Sequence, residues 1–109
     1  MARVISCFDV CLVQLDPTLG HEIQKMRPCV VISPDEINHA NWTFIVAPMS
    51  SQIKKLPTRL PIEFEDTRGQ ILLDQIRSID AQRVVKRLGK IDPKTGHQVL
   101  LRLQEMFSI

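Results

Sequence analysis

The 109-residue chain has no tyrosine, one tryptophan and four phenylalanines, so it offers few rings for bases to stack on. Trp42 and the phenylalanines read mainly as core. Glycine is scarce, at four residues, and no Gly-rich phosphate loop, His-Glu-x-x-His or Gly-x-Ser-x-Gly element occurs. The usual signatures of nucleotide-binding, zinc-protease and serine-hydrolase chemistry are therefore missing. The three cysteines, Cys7, Cys11 and Cys29, are odd in number and lack Cys-x-x-Cys spacing. With His21, His39 and His97 scattered, they do not compose a zinc site. Reduced thiols in the core of a cytoplasmic protein account for them better, and no metal or cofactor is expected. No apolar run is long enough to cross a membrane, and no charged start with a long apolar stretch marks a secretory leader. A net charge of +2 is too small to demand a nucleic-acid partner by itself.

What remains is enough apolar sequence, 44%, for one globular domain over residues 1–109 with a true core. Asp9 to Leu15 (DVCLVQL) is apolar on nearly both faces, as in a strand buried in a closed barrel or beneath a helix. Pro28 to Ser33 is a second apolar strand. Ser33-Pro34-Asp35-Glu36 starts a short helix, and Trp42 to Met49 returns to β-branched and aromatic residues. Residues 50–58 are polar and form an exposed connection. Arg59 to Glu65 alternates cleanly, and Pro61 on its polar face suggests an edge strand or a bulge. A turn over Asp66 to Gly69 leads into a strand from Gln70 to Ile76, and Asp80 caps a brief helix over Ala81 to Val85. Asp92-Pro93 opens a final amphipathic helix with Val99, Leu100, Leu103, Met106 and Phe107 as its apolar stripe. Gly96 weakens its first turn by about 1 kcal/mol relative to alanine. The ingredients are those of an α+β, mainly β fold: a small SH3-like antiparallel barrel with short helices and a C-terminal amphipathic helix.

The segment between the first two strands, Leu15 to Pro28, exceeds the two to five residues of a plain hairpin loop. It carries His21, of a residue type suited to proton transfer near neutrality, and the permanent cation Arg27. It reads either as a solvated linker or as a loop presenting reactive groups on rigid strands. Ser50 and Ser51 follow the third strand, and Asp74 and Arg77 follow the Gln70 strand. Two basic groups, Lys54-Lys55-Arg59 and Arg83-Lys86-Arg87-Lys90, are either solvated faces or tracks for an anion.

Several ordered elements resemble the MazF/PemK family of bacterial toxins: LDPTLGHE (Leu15 to Glu22) followed by Arg27-Pro28, Ser33-Pro34-Asp35 with Asn38, Val46-Ala47-Pro48 with Ser50-Ser51, LLDQIRSID (Leu72 to Asp80), and RLGK (Arg87 to Lys90). The resemblance runs from about Phe8 to Phe107. It implies an SH3-like barrel that forms a twofold homodimer and binds single-stranded RNA along the interface. It further implies a metal-independent endoribonuclease in which a 2′-hydroxyl attacks the adjacent phosphate, neutralised by a flexible acidic antitoxin. Carried over residue by residue, Arg27 becomes the catalytic arginine, whose fork suits a phosphorane. Ser50 stands where threonine is usual and keeps the hydroxyl, and His21 matches a histidine of PemK-type members. Glu22, Lys25, Ser51, Lys54, Lys55, Asp74 and Arg77 become RNA-contact candidates, with Glu22 also suited to hold Arg27 or a backbone N–H, and Arg77 to buttress the groove. Arg59 joins the groove cations. Three departures stand out: Leu72 replaces an arginine of the PemK pattern, Phe8 replaces a usual glycine, and Gln24-Lys25 replaces loop glycines. The rival readings are a gyrase-poisoning toxin like CcdB, whose Trp-Gly-Ile ending the QEMFSI terminus lacks, and an inactive RNA-binding relative.

Overall fold

The computed structural model describes residues 4–40 and 42–108; Ile109, the last residue of the QEMFSI ending, lies outside them. Seven strands run β1 (Asp9–Gln14), β2 (Met26–Val31), β3 (Thr43–Ser50), β4 (Arg59–Phe64), β5 (Thr67–Leu72), β6 (Arg77–Asp80) and β7 (Val84–Lys90). Helix α1 (Asp35–Asn38) precedes β3, and α2 (Pro93–Met106) ends the fold. All pairings are antiparallel, in the order β4-β5-β3-β2-β1-β7, with β6 also on β3. The sheet curls until its edges meet: a methyl group on Gly89 of β7 would lie 3.0 Å from Phe64 Cζ of β4. The mainly β fold with a terminal helix is the one the sequence indicates.

Both faces of the sheet are buried, which is why β1 is apolar on both sides. Cys11, Val13, Cys29, Val31 and Val46 pack on one face with Ile5 and Ile79. Val10, Val30, Ala47, Met49 and Ile71 pack on the other, beneath Val99 of α2. Asp92 caps α2 by accepting from Thr95 N at 2.7 Å, with Pro93 in the first turn. Only part of the expected stripe is packed: Val99 is buried, but Leu100 and Phe107 are 40% and 70% exposed. Trp42, expected in the core, is 81% exposed.

Besides β2, which starts at Met26 and so takes Arg27 from the loop onto a strand, three boundaries differ from the sequence reading. The β4–β5 turn is the pair Glu65-Asp66, both at positive φ, so β5 begins at Thr67 and ends in a 3-10 turn at Leu73–Gln75. Asp80 does cap its neighbour, accepting from Gln82 N at 2.8 Å. What it caps is a single 3-10 turn, Ala81–Arg83, and the chain then becomes strand β7 rather than helix. The sequence reading also missed β6. Strand β4 is an edge strand, as Pro61 suggests.

Phe8 explains its own departure. Asp9 N donates to Ser6 O at 3.0 Å, and the tight turn holds Phe8 at φ 73°, a conformation suited to glycine. Its ring then lies on Gly96 of α2, where a methyl group would come within 2.6 Å of it. A ring at one position requires a glycine at the other.

Candidate functional site

Two prolines shape the sheet where the ionisable residues gather. Strand β3 pairs with β6 through Val46 and with β5 from Met49 onward. Pro48, which has no N–H to donate, sits at that change of partner. On the other side, the β2–β3 pairs end at Cys29 opposite Pro48. The next β2 residue, Pro28, again lacks the donor that would continue the ladder. The strands part there, and a cleft of about 290 Å³ opens between the start of β2, the end of β3 and the β4–β5 hairpin.

Arg27 and Ser50 both line this cleft, with Ser51 beside them. Extending the β2–β3 register by two residues sets Arg27 opposite Ser50. The Arg27 Nε donates to Gln24 O at 3.1 Å, which fixes the root of the guanidinium. Among the described residues no carboxylate lies within 4 Å of it, so its outer nitrogens remain available to an anion. Ser50 Oγ accepts from Gln52 N at 3.1 Å, which leaves the hydroxyl hydrogen to donate. Gly69 presses on Ser50 from β5: a methyl group there would lie 2.5 Å from the Ser50 carbonyl oxygen. The floor is apolar, formed by Met49, Ile62 and Phe64. The hairpin adds Glu65, Thr67 and Arg68, none of which the sequence singled out.

The remaining candidates lie elsewhere. His21, Glu22 and Lys25 stand exposed on the loop and do not line the cleft. Glu22 accepts from Leu19 N at 2.6 Å, the backbone N–H role expected of it. Lys25 holds φ 71°, and its carbonyl accepts from Leu15 N at 3.0 Å, closing the loop. Lys54 and Lys55 are exposed on the connection after β3, which Gln70 pins through Lys54 N and O at 3.0 and 2.8 Å.

The LLDQIRSID segment is a scaffold for the loop. Arg77 donates to Leu15 O at 3.0 Å, Gln75 accepts from Ile23 N at 2.6 Å, and Arg83 reaches Gln14 O and Asp16 O at 3.0 and 2.7 Å. The loop is thus tied down at both ends, around Leu15 and at Ile23, while Leu19 to Glu22 between them stand exposed. Arg59 is a correction: expected as a groove cation, it is buried and grips Asp74 through two bonds of 2.7 and 3.0 Å. Desolvation, the largest single influence, pushes the Asp74 carboxyl up, but the Arg59 hydrogen bonds and charge, a backbone N–H and the Thr58 hydroxyl together hold it below the ordinary aspartate value. Arg87 is likewise committed, 3.2 Å from the buried Asp9. The Ser33-Pro34-Asp35 motif is structural too. Ile45 N donates to Ser33 Oγ at 3.0 Å, Asn38 Nδ2 to Ser33 O at 2.8 Å, and Cys7 N to Asp35 at 2.7 Å. Cys11 and Cys29 face each other across β1 and β2, unbridged. Burial, then the neighbouring Cys11, push the Cys29 thiol up to about 12, so it stays protonated and inert.

The chain and its fold are similar to known proteins. Residues 6–107 match the family model described as PemK-like, MazF-like toxin of type II toxin–antitoxin system. Endoribonuclease EndoA of Bacillus subtilis is 36% identical over 102 residues, covering 88% of this chain and 88% of that protein. The crystal structure of MazF from Deinococcus radiodurans superposes with a TM-score of 0.87 at 22% identity, covering 99% of this chain and all of that one. A MazE–MazF structure from the same organism gives 0.81 at 22% identity, covering 99% of each chain.

Proposed function

The chain belongs to the family of PemK-like, MazF-like toxins of type II toxin–antitoxin systems, and from that premise we propose that the Arg27–Ser50 cleft is where it cleaves single-stranded RNA. It is an endoribonuclease toxin, held in check by an antitoxin. The mechanism we assign is metal-independent and selective for short sequence motifs. The 2′-hydroxyl attacks the adjacent phosphorus, the bond to the 5′-oxygen of the next nucleotide breaks, and the products carry a 2′,3′-cyclic phosphate and a 5′-hydroxyl. The reaction needs charge stabilisation on the phosphorane and proton transfer at both oxygens. Arg27 supplies the first through its unpaired fork, and Ser50 adds a hydroxyl donor to a non-bridging oxygen. For proton transfer we assign the leaving oxygen to Arg27; His21, the other group of suitable type, stands exposed on the loop outside the cleft, so its part depends on the RNA strand extending over that loop.

The observation that carries this reading is the guanidinium of Arg27, rooted by Gln24 and free of carboxylates among the described residues, in one cleft with the Ser50 hydroxyl. A twofold homodimer in the cytoplasm is part of the proposal. Exposed Leu100, Leu101 and Phe107 call for cover that a second copy or the antitoxin supplies. No helix among the described residues is long and apolar enough to cross a membrane.

The test is incubation of the purified protein with a long single-stranded RNA in EDTA, beside Arg27→Ala. Discrete fragments with 5′-hydroxyl ends are expected, with a rate loss in the variant of about 100- to 1000-fold, typical of removing one transition-state donor. Equal cutting by the variant would refute the assignment of Arg27. Cutting that stops in EDTA would refute metal independence, and intact RNA with poisoned gyrase would revive the CcdB-like reading.

A further inference from the structure

The β4–β5 hairpin brings a second arginine to the cleft, and the chemistry assigned above leaves it without a role. Its turn is only Glu65-Asp66, with φ of 50° and 62°, the left-handed pair that a two-residue turn uses to match strand twist. Because the turn is so short, Arg68 and Gly69 come directly against the end of β3. Ser50 pairs with Gln70, and Arg68, two residues earlier on β5, shares that face of the sheet. Arg27 stands on β2, on the opposite flank of β3. Strand β3 lies between β2 and β5 in the sheet, so the two arginines line the cleft from either flank of the strand that carries Ser50.

Arg68 is exposed and lines the cleft. Glu63 is its cross-strand neighbour and Glu65 lies three residues before it. Even so, among the described residues no carboxylate comes within 4 Å of its guanidinium. The other arginines of this sheet are committed: Arg59 to Asp74, Arg87 to Asp9, and Arg77 and Arg83 to backbone carbonyls. Arg27 and Arg68 keep open forks on one cleft.

We propose that Arg68 is a second phosphate ligand, gripping the phosphodiester next to the one held at Arg27, so that the RNA strand crosses the end of β3 with successive phosphates on two guanidinium forks. The inference rests on the endoribonuclease reading of the cleft. Arg68 then acts in binding and register, not on the reacting phosphorus, and its removal raises KM while kcat changes little.

The experiment measures binding of a short 2′-O-methyl RNA, which cannot be cut, by fluorescence anisotropy between about 50 and 300 mM salt. Arg68→Ala is expected to weaken binding about 5- to 20-fold and to flatten the slope of log affinity against log salt by about 0.7, one phosphate contact on a single strand. Arg68→Lys should keep the slope and lose part of the affinity, because the charge stays and the fork goes. On cleavable RNA, Arg68→Ala should raise KM by a similar factor with kcat within about threefold. If the wild type cuts, Arg27→Ala does not, and Arg68→Ala matches the wild type in affinity and slope, this inference is overturned while the reading of the cleft stands. If the wild type neither binds nor cuts, the reading itself has failed.

Discussion

Gly69→Ala is a one-carbon change that tests how the cleft is built. The added methyl group would lie 2.5 Å from the Ser50 carbonyl oxygen, 3.2 Å from its carbonyl carbon and 3.5 Å from Ser51 Cα. All three atoms are backbone, so no side-chain rotation relieves the clash. An ordinary contact needs about 3.4 to 4 Å, so β3 and β5 must part by up to roughly an ångström at Ser50. Overpacking of this kind costs about 1 to 3 kcal/mol, which urea unfolding will read as a lower midpoint with an unchanged m-value. Activity should suffer more than stability. A displacement near 1 Å at a positioning group costs on the order of 100-fold in rate, and Ser50 is the residue displaced. The assay is single-turnover cleavage of a short RNA at a temperature where the variant is fully folded. Gly69→Ala should lose about 10- to 100-fold in the chemical step. A variant that is destabilised yet cleaves at the wild-type rate would refute the view that close approach of β5 sets the Ser50 backbone.

Two further predictions concern the scaffold. Gly96→Ala gains about 1 kcal/mol of helix propensity but meets the Phe8 ring at 2.6 Å, so it should destabilise the protein. In a Phe8→Gly background the sign should reverse, and additive effects in a urea double-mutant cycle would contradict the pairing. Desolvation raises the Asp74 pKa, and the Arg59 ion pair with further hydrogen bonds lowers it by more. The stability it contributes is present above the ordinary aspartate pKa of about 3.9 and is lost as pH falls through the folded value. Thermal melts should therefore decline below about pH 4. Asp74→Asn should flatten that decline while lowering the neutral-pH stability by about 1.5 to 3 kcal/mol, the worth of hydrogen bonds to a charged group.

Much of this was legible in the sequence, for definite reasons. Strands β1 to β4 have clear apolar runs or alternation, and α2 has a cap, a proline and a stripe. Strand β7 lacked such a signal because it is an edge strand whose central residues Val85, Lys86 and Arg87 are all exposed. In the sequence Gly69 invites a turn, which puts the expected turn later than the observed one. The glycine instead serves close approach to β3, and the positive φ values fall on Glu65 and Asp66. That shift hid Arg68. Large rings favour the interior only on average, and Trp42 is an exception. Arg59 and Asp74 were read separately since only folding brings the start of β4 beside the end of β5.

The central claim is that Arg27 and Ser50 act together on one phosphate, and a double-mutant cycle on the single-turnover rate tests it most directly. Arg27→Ala should lose about 100- to 1000-fold and Ser50→Ala roughly 10- to 100-fold, the worth of a hydrogen bond to a charged group. Arg27→Ala/Ser50→Ala should be little worse than Arg27→Ala alone, as for groups that work as a unit. Losses that multiply in full, or a Ser50→Ala protein as fast as the wild type, would contradict the account.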